Sequence, residues 1–380
     1  MEKIIDRTRC TGCTACAMIC PKNAIIIQKD NEGFGYPIIN QKKCIDCGLC
    51  KRTCPVLNTE KNAAINKCYV AYAKDSKMSA GASSGGIFSV IAKNVLKNEG
   101  IVIGAAFNKN NELYHIAVNK NENLDRLKGS KYLQSDLNNI FHYIKENINQ
   151  KKILFVGVPC QVAGLKAFLQ RDYKNLICID LICHGVPSPK LFEKYLKELE
   201  ELKKDKIVMY NFRDKSTGWD TYSNTIIFER KKIKELNTKN KYMRIFLSNA
   251  PLRESCFNCN FKLGNKYSDI TLGDFWGVKK YYPEMYNKKG VSAVIINTEN
   301  GIDIFEKIKD ELEYKHCKID EIINGNPSLT KSARYYEKRL DFFRDLDKCS
   351  IRELEKKYVK KEKLIVKLKN RIIYFVRNQI

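Results

Sequence analysis

The sequence predicts an α+β module over residues 1–60, an α/β domain with a mixed sheet over 61–330, and a basic helical tail over 331–380. Three observations lead there. Two cysteine-rich runs, CTGCTACAMICP at 10–21 and CIDCGLCKRTCP at 44–55, bracket a hairpin pattern. Behind them, strand-like apolar runs alternate with amphipathic stretches, the signature of a sheet with helical connections. At the end, KKYVKKEKLIVKLKNRIIYFVRNQI (356–380) sets Leu364, Leu368, Ile372 and Phe375 at helical spacing among lysines and arginines.

Each cysteine run reads C-x2-C-x2-C-x3-C-P. That spacing is the bacterial ferredoxin signature, in which the fourth cysteine ligates the other cluster because the chain turns away after the third. It assigns Cys10, Cys13, Cys16 and Cys54 to one [4Fe-4S] cluster, and Cys44, Cys47, Cys50 and Cys20 to a second. The first module is therefore expected to be ferredoxin-like, with AIIIQKDNEGFGYPII between the runs as its hairpin layer. A pair of zinc sites is the competing reading, but zinc prefers two separated C-x2-C pairs to a triplet with a distant fourth ligand. Glycines beside the ligands, Gly12 and Gly48, suit backbone amides that approach sulfide closely.

Sixteen cysteines in 380 residues suit either a disulfide scaffold or metal sites. A chain this long buries its own core and needs no disulfide staples. The N-terminus, MEKIIDRTRC, carries charges where a secretory signal needs an apolar run, and no later run approaches the ~18 apolar residues of a membrane span. A soluble, cytoplasmic protein with reduced thiols is expected.

In the second domain, VLNTEKNAAIN (56–66) reads as a polar linker and CYVAYAK (68–74) as the first strand. Ser83 or Ser84 would cap a helix over roughly 86–98, Gly100 would stop it, and a strand would follow over 101–107. KKILFVGVPCQVAGLKAFL predicts a buried strand ending at Gly157, with Pro159 opening a helix. LICIDLIC (176–183) is a further strand and a helix follows near 189–203. The junctions SSGG (83–86) and GVPCQ (157–161) are natural anion sites, since free amides and the helix dipole point out of them. Neither matches a dinucleotide or triphosphate loop. Cys160, Cys183, Cys256 and Cys259 could form a third cube, be buried structural thiols, or include a catalytic Cys160 activated by the dipole. Cys68, Cys178, Cys317 and Cys349 sit in ordinary apolar or helical settings and read as packing residues.

SSGGIFSVIAK, KGSKYLQSD, FVGVPCQVAGLK, DLICHGVPSP, FRDKSTGW, RESCFNCNFK and SDITLGDFWG together resemble the coenzyme F420 hydrogenase/dehydrogenase beta-subunit family over roughly 68–300. The resemblance implies a flavin-binding domain that holds FAD, carries its own [4Fe-4S] cluster, and exchanges electrons between iron–sulfur centres and a hydride-carrying partner, often coenzyme F420. It places the third cluster on Cys160, Cys183, Cys256 and Cys259. It places flavin contacts at Ser83, Ser84, Gly85, Gly86, Lys131, Tyr132, Gly157, Pro159 and Gln161. No catalytic residue is assigned. His184 and Asp180, near Cys183, could move protons, although a histidine beside a ligand cysteine more often donates a hydrogen bond to the site.

The combination is chemically coherent, because iron–sulfur cubes move single electrons and a hydride carrier accepts two, so a flavin must gather them. The expected partners are ferredoxin or another one-electron donor, a small-molecule hydride donor or acceptor, and a partner oxidoreductase subunit. The net charge of +25 raises nucleic acid as a ligand, but the basic residues are spread along the chain, and solvated charge accounts for them. The basic tail would lie on an anionic membrane surface, dock a partner, or pack on its own protein. Three function classes follow: an iron–sulfur flavoenzyme, a non-catalytic electron-transfer subunit, and a redox-sensing iron–sulfur protein.

Overall fold

The structure is a computed structural model that describes residues 3–58, 67–263 and 267–360. Most of the expected linker and the four apolar positions of the basic tail lie outside the described residues.

The cysteine repeat is also a repeat of the backbone. Gly12 and Asp46 occupy equivalent places in the two runs, as do Thr14 and Gly48, and all four have positive φ (70°, 51°, 61° and 73°). Each run then enters a one-turn helix, Ala15–Met18 or Leu49–Arg52. Between them β1 (Ile25–Lys29) and β2 (Gly35–Ile39) pair antiparallel, the expected hairpin.

The larger body rests on an eight-stranded mixed sheet. In chain order its strands are β3 (Lys67–Ala73), β4 (Ile101–Phe107), β5 (Leu113–Val118), β6 (Ile153–Gly157) and β7 (Leu176–Leu181). After a separate three-stranded antiparallel sheet of β8 (Ile207–Asp214), β9 (Ser223–Phe228) and β10 (Lys232–Leu236), it resumes with β11 (Ile270–Asp274), β12 (Ser292–Ile296) and β13 (Leu312–His316). The order is β13-β3-β12-β11-β7-β6-β4-β5. Strands β4, β6, β7 and β11 are mutually parallel, and their apolar sequences fit a position covered on both faces. Strand β12 is antiparallel to both β11 and β3, so β3 ends at the same edge of the sheet as the parallel strands.

The helices Ile87–Lys97, Pro159–Leu169 and Pro189–Lys203 stand where the sequence predicts them. One local expectation is corrected. Neither Ser83 nor Ser84 caps the first of these; Gly86 does so in left-handed conformation. The Ser84 hydroxyl instead donates to the Val291 carbonyl (2.7 Å), and the Ser83 hydroxyl pairs with that of Ser130 (2.7 Å). Long-range partners outbid the local cap.

A second core joins the small sheet to the helices Pro189–Lys203, Lys241–Leu247, Arg339–Leu346 and Ile351–Tyr358 through Phe192, Tyr210, Phe212, Tyr242, Phe246, Phe342 and Leu354. Residues 339–358 are therefore packed into the body. The same elements hold the cysteine module: Arg339 binds the Glu32 carboxylate with both terminal guanidinium nitrogens, and Lys190 donates to the Asn31 carbonyl at 3.0 Å.

Candidate iron–sulfur and electron-transfer site

The cysteines gather in three places. One cavity is lined by Cys10, Cys13, Cys16 and Cys54. Another is lined by Cys20, Cys44, Cys47 and Cys50. The largest, about 590 Å3 including its open mouth, is lined by Cys160, Cys183, Cys256 and Cys259. Thus Cys20 and Cys54 each cross to the other run's set, as the turn after the third cysteine requires. Among the described residues, no three or more His, Cys, Asp or Glu side chains converge as the site of a single metal ion. The thiols ring open cavities instead.

The third set is assembled by the parallel sheet. Cys160 lies three residues past the end of β6, at the start of the helix Pro159–Leu169, and Cys183 two past the end of β7. The carboxyl ends of neighbouring parallel strands are where open α/β sheets place ligands. Cys256 lies within a short turn over Glu254–Asn258, and Cys259 directly follows it. Backbone amides already address their sulfurs, Val186 to Cys256 Sγ and Phe261 to Cys259 Sγ, both at 3.5 Å. Burial, then the charge of neighbouring thiols, raises the Cys160 thiol well above its ordinary pKa. Burial pushes Cys256 up to about 12. Thiolate at such places requires a cation to compensate it. An all-cysteine donor set around a buried cavity, with amides aimed at sulfur, fits an iron–sulfur cluster.

The first and third cavities adjoin. Thr11 lines both. A Cβ on Gly164, one helical turn after Cys160, would lie 2.8 Å from Cys13 Cβ and 3.1 Å from Cys13 Sγ, so only glycine lets the first run pack there. The second set is more open: Cys47 is exposed, whereas all four cysteines of the first set are buried. Ile45 and Lys22, which line the second set's cavity, are exposed, as are Lys42, Lys43, Lys51 and Arg52 beside its cysteines in the chain.

The sequence-predicted flavin residues lie at the same edge of the large sheet, but several are occupied internally. The Gly85 amide donates to Ser292 Oγ at 3.0 Å. Gln161 lies at the helix start, accepting from the Val158 amide (3.1 Å) and donating to Ser135 Oγ (3.0 Å). Lys131 Nζ donates to the Lys128 and Arg126 carbonyls, and burial pulls its pKa down to about 7. None of Ser83, Ser84, Gly85, Gly86, Lys131, Tyr132, Gly157 or Gln161 lines the three cavities; Pro159 lines the third. Around this edge stands a cluster that sequence reasoning left unassigned. Arg213 is buried, binds Asp274 through two nitrogens (3.0 and 3.2 Å), reaches Tyr132 Oη at 3.2 Å and donates to the Ser83 carbonyl at 3.0 Å. Trp219 Nε1 donates to Asp274 at 2.7 Å, and Trp219 stacks on Trp276. Lys215 donates to the Ser84 carbonyl, and burial, then Arg213, pull its pKa to about 8. The buried donor Arg213 Nε has no hydrogen-bond partner among the described residues, nor does His115 Nδ1, the acceptor nitrogen of a neutral ring whose Nε2 donates to the Val156 carbonyl at 3.0 Å. The fit to a flavin is thus one of cationic charge and small residues at a strand edge. His184 hydrogen-bonds Asn249 at 2.7 Å, and Asp180 is buried inside the sheet.

Cysteine spacing, an all-thiol donor set and a mixed α/β sheet define an iron–sulfur protein of the oxidoreductase type. The chain belongs to the coenzyme F420 hydrogenase/dehydrogenase beta-subunit family: residues 68–142 match its N-terminal profile and 150–322 its C-terminal one, behind a 4Fe-4S dicluster domain at 9–58. It is 24% identical over 351 residues to an uncharacterized protein of Methanocaldococcus jannaschii, covering 80% of this chain and 88% of the relative. It is 21% identical to the coenzyme F420-dependent sulfite reductase of that organism, covering 83% of this chain and 48% of the relative, so it spans about half of that protein. A solved chain of the F420-reducing [NiFe] hydrogenase complex from Methanosarcina barkeri aligns at 20% identity and TM-score 0.48, covering 78% of this chain and 91% of the other. No helix among the described residues is long and apolar enough to cross a membrane.

Proposed function

We propose that this chain is an iron–sulfur flavoprotein oxidoreductase that takes single electrons at its surface and delivers them in pairs to a hydride carrier such as coenzyme F420. The observation that carries this is the succession of three four-cysteine cavities, from one with an exposed thiol, through a buried one, to one at the carboxyl ends of β6 and β7. Clusters bound there would supply one-electron exchange, and FAD would supply the pairing of electrons that a hydride requires.

The chain's own residues divide the work. Cys20, Cys44, Cys47 and Cys50 hold the outermost centre, and the neighbouring lysines and Arg52 suit an acidic one-electron donor protein, with exposed Ile45 as its apolar contact. Cys10, Cys13, Cys16 and Cys54 hold the middle centre away from water. Cys160, Cys183, Cys256 and Cys259 hold the inner one. Ser83 to Gly86, Lys131, Tyr132, Gly157 and Pro159 would bound the flavin, with Arg213 and Lys215 fixing the SSGG carbonyls so that the loop keeps its shape. Gln161 supports that edge through the helix cap rather than by touching the cofactor.

Anaerobic reconstitution followed by iron analysis and chromatography of the released flavin tests the proposal. About twelve irons per chain and FAD are expected. FMN, or no flavin in fully metallated protein, contradicts the flavin assignment. A screen of hydride acceptors with the holoprotein then separates an enzyme from a subunit that only feeds one.

A further inference from the structure

Three arginines are buried to within 4% exposure, and two of them have carboxylates: Arg213 binds Asp274 and Arg339 binds Glu32. Arg253, 1% exposed, has none within ion-pair distance among the described residues. Its guanidinium donates to the Cys10 carbonyl (2.7 Å), the Gly35 carbonyl (2.9 Å), Gln134 Oε1 (3.1 Å) and Cys10 Sγ (3.8 Å). Tyr36 and Phe34 pack against it, their ring centroids 4.3 and 5.4 Å from Cζ. The same side chain, with Gln134 and Thr11, lines the third cavity. A buried charge without a counter-charge is costly, and neutral carbonyls compensate it only in part.

The first run is shaped to receive it. Gly12 stands at φ +70°, and a Cβ there would lie 2.8 Å from Arg253 Nη1 and 2.9 Å from Gln134 Nε2. The guanidinium occupies the space of the missing side chain and lies between the first and third cysteine sets.

We infer that Arg253 is a positioning residue: a shared cation between the inner two cluster sites, compensating the thiolates of both and raising both reduction potentials relative to the outer cluster. The inference rests on the three-cluster reading above. The sign follows from charge: an added electron makes a thiolate-bound cube more anionic, and a fixed cation close by favours that state. The outer set shares no lining residue with Arg253 and serves as an internal control.

The test is an EPR-monitored redox titration of the reconstituted holoprotein, wild type against Arg253→Gln, with iron measured on each sample. Both inner centres should move to lower potential by about tenfold in the one-electron equilibrium, about 59 mV, while the outer centre stays put. Gln134→Glu is the second variant, which neutralises the guanidinium without removing it and should shift the same two centres in the same direction if Arg253→Gln fails to assemble. Wild-type potentials at full iron in an assembled variant overturn the inference. Wild-type protein holding only about eight irons removes the third cluster instead, and the shift is then read at the first centre alone.

Discussion

The two cysteine runs share a spacing and a pair of left-handed backbone positions, yet one of the two ligand sets they form lies inside the protein and the other reaches its surface. Cys10, Cys13, Cys16 and Cys54 are all buried, under the helix that carries Cys160 and against Arg253. In the other set Cys47 is exposed and Cys20 and Cys44 are half-buried. A duplicated motif therefore gives two chemically equivalent sites, and the body around them differentiates the pair. In the function proposed above, the exposed set is the port and the buried one the relay.

The largest effect that sharpens this contrast comes from the third set. Replacing Cys256 and Cys259 with serine should lower bound iron from about twelve to about eight per chain; an unchanged value near eight in both proteins means that only the repeated runs hold clusters.

Alanine at the two glycines of the runs breaks the comparison more locally. Gly12 and Gly48 both have positive φ, so alanine at either costs about 1–2 kcal/mol from backbone strain alone. At Gly48 the new Cβ meets only Arg52 Nη1 at 3.0 Å, the mobile end of an exposed side chain. At Gly12 it meets the buried Arg253 and Gln134, and overpacking adds about 1–3 kcal/mol. Anaerobic thermal melts should show Gly12→Ala well below Gly48→Ala, and equal losses would mean that the buried run is not held more tightly than the exposed one.

The smallest effect is a pH slope. Burial lowers the Lys131 pKa to about 7. The unfolded chain then binds the extra proton between about pH 7 and the ordinary lysine range, so this residue makes stability rise with pH across that window. Lys131→Met should flatten the slope, and parallel pH–stability curves for the two proteins would contradict it.

What was legible in the sequence follows contact range. The two ligand sets of the cysteine runs rest on spacings of two and three residues and one crossing cysteine, and the cavities bring together those same thiols. The strands and helices around Gly157, Pro159 and Gly100 were legible because glycine and proline mark their ends locally. The third set needed the family resemblance, since its members lie far apart along the chain. Arg253 bonds a carbonyl 243 residues away, and no periodicity signals such a contact, although Arg253, Gln134 and Arg213 all lie in stretches that carry the resemblance. Ser83 and Ser84 look like helix caps for the same reason in reverse. Local chemistry favours a cap, and partners at Ser130 and Val291 take the hydroxyls instead.

The order of the three centres, exposed, buried and sheet-borne, is most directly tested by anaerobic stopped-flow reduction of Cys47→Ala with a one-electron protein donor, monitored at the inner centres and the flavin. The exposed centre as port predicts that reduction slows by an order of magnitude or more while the Cys10 and Cys160 sets keep their iron. Reduction of the inner centres at the wild-type rate would contradict it and place the port at the third cavity.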